Sequence, residues 1–495
     1  MVSRLKTVCN AIGRMAAHYP QQAMTLLRTT TGPCRTEHLA QALRPEEWPD
    51  GVIGEVKQVI LTAAEQIIGS PLTPLARAQV QLPLSKGGLG LTDPEDVLPA
   101  ARLAMLVQCG DAILDIGNTA ESLTAELNYA VRAYAARRGL QKPLVPRPEP
   151  HLQHVLMEPI MDQRNATFLA TLTGHDNERV LSLQTPHAMS WVDGSNPWIS
   201  MTPAQYRAAL HWVLGLPCVP EGLRCAACGV VCDTLGVHLS KCTLSGAPAR
   251  GHSVPKDVFA KICKTAGLGA QKEVKLVQRP DLVPSDLRVQ GLDPKGDSSL
   301  DFTCWSRSAG DVDPLDRAMI HKHQKYGAAC SAEGLQYRVW AADTMGGMHP
   351  TARALTKQVI RILEDKEVFD QSEQVAPAVW GAMSTAVLLR PAMHIARHTP
   401  VPGNVDVEDA EEIIDEDTVE ASGVNTLPLP GTSVVPIAVD PCDTTAPATG
   451  PAVPSGLEHP APTMECDPQT ATRPQPDTGP IRVLCRPPAG GTPPA

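Results

Sequence analysis

The chain has 495 residues, and its apolar content of 43% excludes a wholly disordered protein because it is enough for a folded core. Lys and Arg number 43 against 53 Asp and Glu, and a formal net charge of −10 over the whole chain argues against a nucleic-acid-binding protein. No run of 18 uncharged apolar residues occurs, so the sequence predicts no membrane-spanning segment.

The N-terminus is basic. No acid precedes Glu37, and the basic residues before it are Arg4, Lys6, Arg14, Arg28 and Arg35. Mitochondrial transit peptides share this composition, but we favour a basic amphipathic helix that belongs to the fold. The segment lacks the apolar stretch of a secretory signal, so we expect a reducing compartment for the 14 cysteines.

Residues 1–215 are predicted to be mainly helical. Apolar residues recur every three or four positions over 53–60, and Pro203 after Thr202 is a typical helix start. Between the helices, residues 82–91 (Leu-Pro-Leu-Ser-Lys-Gly-Gly-Leu-Gly-Leu) are predicted as a strand-like apolar segment that glycines interrupt.

The next segment has the residue types and spacing of a zinc site, in the pattern Cys225-x2-Cys228-x9-His238-x3-Cys242. Zn²⁺ binds thiolate and imidazole ligands in a tetrahedron, and four protein ligands leave no position for water. The pattern therefore predicts a structural zinc. Ordinary buried cysteines are the alternative reading. Three further side chains are rival ligands: Cys218, Cys232 and His252.

Helix and strand patterns alternate after this cluster. The predicted helices cover residues 254–266, 314–330 and 351–364. The predicted strands cover residues 287–289, 300–305 and 337–341, and a turn at 293–296 joins the first two.

Two acids and two lysines of this α/β segment form a candidate catalytic centre. Asp286 enters the first strand and Asp301 lies in the second, so the turn between the strands brings two carboxylates together. Close carboxylates repel each other without a cation, and their oxygens favour Mg²⁺ or Mn²⁺. Lys322 falls on the apolar stripe of the following helix, and Lys325 lies one turn further on. Asp281 competes as first carboxylate, and the alternative is aspartates in turns beside lysines of a solvated helix face.

The composition changes near residue 400. Residues 401–495 contain 18 prolines, and nine acids fall within residues 406–420. Such a segment cannot bury enough apolar surface to offset its ordering entropy, so we predict a disordered tail. Its net charge of −12 leaves residues 1–400 at +2, so the charge of the whole chain no longer argues against DNA or RNA as partners.

The order of the motifs resembles one protein family, the reverse transcriptases of non-LTR retrotransposons that carry a restriction-like endonuclease. Residues 20–28 and 82–91 are similar to the region that follows the polymerase palm, the thumb. The motifs that follow in the same order are residues 209–217, the cysteine cluster, Asp286, Asp301, the series 322–326 (Lys-His-Gln-Lys-Tyr) and residues 346–349 (Gly-Gly-Met-His). The similarity spans about residues 1–365.

The resemblance implies a multidomain fold, α and then α/β. Its parts would be a helical thumb-like region (1–215), a zinc knuckle connector (216–252), a restriction-like endonuclease domain of the PD-(D/E)xK superfamily (253–370), and a linker with a disordered acidic, Pro-rich tail (371–495).

The resemblance also implies an activity. Asp286 and Asp301 would bind the Mg²⁺ or Mn²⁺ of a DNA endonuclease that nicks target DNA to prime reverse transcription. That superfamily places a lysine where Thr303 stands, so the lysine role would pass to Lys322 or Lys325. The implied partners are target DNA and element RNA, the implied location is the nucleus, and no membrane is involved.

No Tyr-x-Asp-Asp motif occurs, so we expect no polymerase activity from the chain alone. Two functions other than an endonuclease also fit these residues. One alternative is a catalytically dead, nucleic-acid-binding relic of the same element. The other is a scaffold protein whose acidic tail recruits partners.

Overall fold

Amphipathic helices dominate the chain before residue 265, as the apolar spacing predicts. The computed structural model describes residues 2–31, 41–44, 47–117, 119–140, 146–193, 196–242, 244, 247–305, 314–366 and 374–397. The predicted disordered tail at 401–495 lies outside these residues.

The helices that precede the sheet are α1 (Val2–Met15), α2 (Pro20–Leu26), α3 (Val52–Ile68), α4 (Pro74–Val80), α5 (Pro94–Gln108), α6 (Gly110–Asp115), α7 (Ala120–Arg137), α8 (Leu152–Thr171), α9 (Gly174–Leu183), α10 (Pro203–Leu214), α11 (Val237–Lys241) and α12 (Ala247–Thr265). The elements that follow are β1 (Gly269–Val274), β2 (Ser285–Asp293), β3 (Gly296–Trp305), α13 (Pro314–Ala332), β4 (Gln336–Asp343), α14 (Pro350–Asp365) and α15 (Val375–Ala396).

Helix α1 belongs to the fold. Its buried residues Leu5, Cys9 and Ile12 repeat at helical spacing, and the helix packs against α3. The predicted basic amphipathic helix is therefore confirmed. The start predicted at Pro203 is confirmed as well, because the Thr202 side chain accepts a hydrogen bond from a backbone N–H of the first turn of α10.

The strand-like segment predicted at residues 82–91 is wrong. The chain there forms a short 3-10 helix, Leu84–Lys86, inside a compact loop. The backbone N–H of Leu91 donates to Val80, the residue that ends α4, at 3.1 Å. A Cβ at Gly88 would lie 2.1 Å from the Leu82 carbonyl oxygen, so glycine is needed for this close approach. The glycines let this loop pack closely against the end of α4. The pattern of apolar residues used to predict a strand contains no information about that contact.

One four-stranded mixed sheet follows the helices, with strand order β1-β2-β3-β4. β2 is antiparallel to β1 and β3, whereas β4 runs parallel to β3 through the crossover helix α13. The predicted turn at 293–296 is confirmed by the pairing of Asp293 with Gly296. Strand β1 was not predicted, because its residues are mostly polar and exposed at the sheet edge.

Helix α15 corrects the linker predicted from residue 371. Residues 375–396 form a helix that is buried along nearly its whole length and packs against α10 and α12. The helix is apolar on all sides, so its sequence shows no amphipathic period. The linker prediction is wrong for these residues. Within the described ranges, no helix combines the length and the apolar character needed to cross a membrane.

Buried polar contacts join the helical region to the sheet region. The Ser182 hydroxyl on α9 lies 2.6 Å from both carboxylate oxygens of Asp343 at the end of β4. The same carboxylate accepts backbone N–H bonds from Met345 and Gly347, and Trp212 of α10 donates to the carbonyl of Thr344 at 3.0 Å. A fully buried carboxylate with this many donors fixes the loop after β4 against both α9 and α10.

Candidate functional site

The four predicted zinc ligands come together. The sulfur and nitrogen atoms of Cys225, Cys228, His238 and Cys242 all lie within 4.8 Å of one another. The Cys225 and Cys242 sulfurs are 3.7 Å apart, and the Cys228 sulfur is 3.1 Å from Nε2 of His238. Three sulfurs and one imidazole nitrogen at this separation suit a tetrahedral ion. The cluster can therefore hold a metal ion such as zinc.

Local backbone bonds position these ligands. The Gly229 N–H donates to the Cys225 carbonyl at 2.8 Å, and the left-handed backbone at Gly229 (φ 73°) turns the chain tightly after the first cysteine pair. Asp233 accepts bonds from the backbone N–H groups of Val237 and His238 and so caps α11. Helix α11 then places His238, and Cys242 directly after the helix, close to the first cysteine pair.

The three rival ligands lie outside the group of four. The Cys218 thiol contacts the Leu216 carbonyl at 3.4 Å, and burial raises the pKa of Cys218 to about 12, so this thiol stays protonated. Cys232 is also buried, and burial raises the pKa of its thiol. Its sulfur contacts the Val230 carbonyl at 4.0 Å. His252 lies beside Lys322, at the second candidate site.

The two predicted carboxylates meet on the sheet. Leu287 of β2 pairs with Leu300 of β3, so the next residues along these antiparallel strands, Asp286 and Asp301, lie opposite each other. Asp286 accepts a hydrogen bond from the backbone N–H of Phe302 at 2.7 Å. The hairpin formed through the 293–296 turn therefore brings the acids together as predicted.

Asp301 is the buried centre of this site. Its side chain is 4% exposed, and its two oxygens accept bonds from the Lys322 ammonium and the Tyr337 hydroxyl, each at 2.9 Å. Lys322 comes from α13, which covers this face of the sheet. A buried carboxylate of this kind needs such partners, because an uncompensated charge would be costly.

The electrostatics of the site reflect a crowded pair of acids. Burial and the neighbouring charge of Asp301 raise the pKa of Asp286 to about 6. The charge of Glu273 on β1 raises it further, whereas the Phe302 N–H and Lys322 oppose the shift. Burial and Asp301 also raise the pKa of Tyr337, so its hydroxyl remains a donor. A bound cation would relieve the repulsion between the two carboxylates.

The two competing residues lie outside this constellation. Lys325 is exposed, and its ammonium nitrogen lies 4.8 Å from the centroid of the Tyr326 ring. Asp281 is exposed and paired with Arg279 at 2.8 Å. Among the alternatives left open by the sequence, the geometry therefore selects Asp286 over Asp281 and Lys322 over Lys325 as neighbours of Asp301.

Sequence reasoning missed three neighbours of the carboxylates: Tyr337, Glu273 and His252. The Tyr337 contact depends on the parallel pairing of β3 with β4, which brings residues 36 positions apart in the chain together. Glu273 lies on the unpredicted edge strand. Burial and the Lys322 ammonium lower the pKa of His252, which the sequence offered as a rival zinc ligand.

The chain matches no protein-family model and no curated protein.

Proposed function

We propose that the protein is a Mg²⁺- or Mn²⁺-dependent DNA endonuclease derived from a non-LTR retrotransposon. The observation that carries the proposal is the pair Asp286 and Asp301 on neighbouring strands, with the Lys322 ammonium 2.9 Å from Asp301. Metal-assisted phosphodiester hydrolysis can use two carboxylates to hold the ion and one lysine to stabilise developing negative charge. In this proposal the nick primes reverse transcription, and the partners are nuclear target DNA and element RNA.

The order of the elements supports the same proposal. Helix α12 is followed by β1, β2, β3, α13 and β4, and β4 pairs parallel to β3. In this α-β-β-β-α-β order the acids lie on the second and third strands, which the turn at 293–296 joins. Lys322 on α13 replaces the lysine that the superfamily places at position 303, because its ammonium reaches Asp301 from the helix above the sheet.

The residues fit a hard divalent cation. Carboxylate oxygens are preferred ligands of Mg²⁺ and Mn²⁺, and each oxygen of Asp301 keeps a second lone pair besides its bond to Lys322 or Tyr337. When bound, such an ion polarises the phosphoryl oxygen and lowers the pKa of the attacking water.

The side chains of the site have separate roles. Asp286 and Asp301 would hold the ion, and the Phe302 N–H and Tyr337 hydroxyl orient these carboxylates. The Lys322 ammonium would stabilise the negative charge that develops on the scissile phosphate.

We further propose that the cysteine cluster binds a structural zinc. Four protein ligands close the coordination shell, so no water is left for catalysis. Cys225 and Cys242 are buried within the main apolar core, which also contains Leu239 of α11 and Ile395 of α15. A zinc here would stabilise the connector between the helical region and the endonuclease-like region, next to the bound nucleic acid.

The test is nicking of supercoiled plasmid by the purified, zinc-loaded full chain. We expect conversion to the open circle with Mg²⁺ or Mn²⁺ and none without either ion. Asp301→Asn should lower the rate at least about 1,000-fold because it removes a carboxylate that no neighbour replaces. Absence of cleavage by folded, zinc-loaded wild-type protein would overturn the proposal.

A second candidate is a nucleic-acid-binding protein without nuclease activity. Both Asp301 oxygens are already engaged, by Lys322 and Tyr337, and Thr303 stands where the superfamily has its lysine. This candidate predicts DNA or RNA binding that weakens steeply with salt and is unchanged by Asp286→Ala. Filter binding at several salt concentrations, beside the nicking assay, separates the two functions.

A further inference from the structure

A cavity of about 310 Å³ lies beside the carboxylate centre, between the end of β3 and α13. Lys322 is shared, since it lines the cavity and also contacts Asp301. The other side chains that matter here are His252, Thr303, Trp305 and His321. Phosphodiester hydrolysis at the carboxylates uses none of these four.

Trp305 presents a large aromatic face at this cavity. Asp301, Thr303 and Trp305 alternate along β3, so their side chains point to the same side of the sheet. Trp305 is 45% exposed, yet its indole N–H donates to the Thr303 hydroxyl at 2.9 Å. The ring is thus held in one orientation and still offers a free face, which is the property of a base-stacking platform.

His252, which lines the cavity, carries an unsatisfied polar atom. Nδ1 of His252 is buried and has no hydrogen-bond partner among the described residues. Buried polar atoms are nearly always paired in native proteins, so an atom left bare beside a cavity points to a ligand that supplies the partner. A ring face, an imidazole nitrogen and the Lys322 ammonium together match a heterocyclic base attached to a phosphate.

We propose that this cavity binds an unpaired nucleobase next to the scissile phosphate. The base stacks on Trp305 and hydrogen-bonds to His252, while Lys322 contacts the backbone. The inference rests on the proposed cleavage of DNA at Asp286 and Asp301, and it specifies the substrate as DNA with an unpaired nucleotide. Trp305 lies four strand residues from Asp301, about 13 Å, within reach of a nucleotide extruded beside the cleaved bond.

The test measures binding without cleavage, in buffer free of Mg²⁺ and Mn²⁺. The probes are a short DNA duplex and the same duplex with one unpaired 2-aminopurine. Wild-type protein should bind the second about tenfold more tightly and quench its fluorescence, because stacking on an aromatic ring stabilises a base by about 1–3 kcal/mol.

The variants locate the effect. Trp305→Ala should abolish both the preference and the quenching, whereas Trp305→Phe retains most of each. Tyr19→Ala is the matched control, because Tyr19 is 59% exposed and does not line the cavity, and it should leave the preference intact. His252→Ala should reduce the preference by a few fold.

The outcomes separate this inference from the proposed nuclease. Equal binding of the two duplexes by wild-type protein, or a preference that survives Trp305→Ala, overturns the cavity assignment. If Mg²⁺-dependent nicking is found at the same time, the endonuclease proposal stands alone. If the Trp305-dependent preference is found without nicking in a parallel assay, the cavity assignment stands and the endonuclease proposal falls.

Discussion

The cysteine cluster and the carboxylate centre are built in opposite ways. The cluster takes all four of its residues from 18 consecutive positions, and its second pair consists of His238 in α11 and Cys242 directly after that helix. The carboxylate centre collects side chains from β2, β3, β4 and α13. One site depends on a local loop, and the other depends on the whole arrangement of a sheet and its crossover helix.

The two sites also differ in how they balance charge. The cluster contains three cysteines and one histidine, and a bound metal ion would supply the positive charge that thiolates need. Asp301 already has Lys322, and burial together with the charge of Asp301 raises the pKa of Asp286. We therefore expect the cluster to depend on its metal for folding, whereas the carboxylate centre folds without one and needs an ion for chemistry.

The largest expected effect concerns the cluster. Cys225→Ser should lose the metal ion and destabilise the protein by about 5 kcal/mol or more, because metal binding and folding of such a loop are coupled. Zinc per chain, measured by elemental analysis, and thermal unfolding provide the test. Cys232→Ser is the matched control, since Cys232 is equally buried but lies outside the cluster. Loss of zinc from Cys232→Ser with full retention in Cys225→Ser would contradict this ligand set.

Loss of one acid from the carboxylate centre should change the stability of the protein in the opposite direction. Without divalent ions, Asp286→Asn should stabilise the protein at pH 7 by up to about 3 kcal/mol, because the buried charge beside Asp301 is removed. The raised pKa of Asp286 means that the folded state binds its proton more tightly, so wild-type stability falls as pH rises from about 4 to 6. The advantage of the variant should therefore vanish near pH 4. Denaturant unfolding from pH 4 to 8 measures it, and a variant less stable than wild type at pH 7 contradicts the account.

The two lysines of α13 sharpen the assignment within this centre. Lys322→Met should lower the nicking rate about 100-fold, because it removes a preorganised positive charge next to Asp301. Lys325→Met should change the rate less than about threefold, since Lys325 is exposed beside Tyr326. Single-turnover nicking rates compare the two variants directly. A larger loss from Lys325→Met would reverse the assignment.

The smallest effect is expected at Tyr337. Tyr337→Phe removes the hydroxyl that donates to Asp301 and should slow nicking about tenfold while costing about 1 kcal/mol of stability. Tyr326→Phe, on α13, serves as the control. Among the described residues, the Tyr326 hydroxyl makes no hydrogen bond to Asp286 or Asp301. Identical rates for Tyr337→Phe and wild type would show that Asp301 needs no orienting donor.

The contrast between the sites also explains what could be predicted from the sequence. The four members of the cysteine cluster were predicted, because ligand types and spacing within one short loop determine such a group. Asp286 and Asp301 were predicted through the 293–296 turn, since a hairpin is set by its turn. Both inferences use information that lies close together in the chain.

Contacts between distant segments could not be predicted. The choice of Lys322 over Lys325 follows from how α13 packs on the sheet, and the Tyr337 contact follows from the pairing of β4 with β3; neither is specified by a local pattern. Helix α15 was missed because it is apolar on every side, and strand β1 because it is a polar edge. The loop at 82–91 depends on the close approach of Gly88 to Leu82, a feature of tertiary packing.

The most direct test of the central claim is a Mn²⁺ titration of the zinc-loaded protein, followed by electron paramagnetic resonance. We propose two separate metal sites, so wild-type protein and the Asp281→Asn control should each bind one Mn²⁺ tightly and keep one zinc. Asp301→Asn should lose the tight Mn²⁺ and keep its zinc, because the four proposed zinc ligands of the cysteine cluster are unchanged. Unchanged Mn²⁺ affinity in Asp301→Asn would contradict the assignment of the carboxylate pair as a metal site.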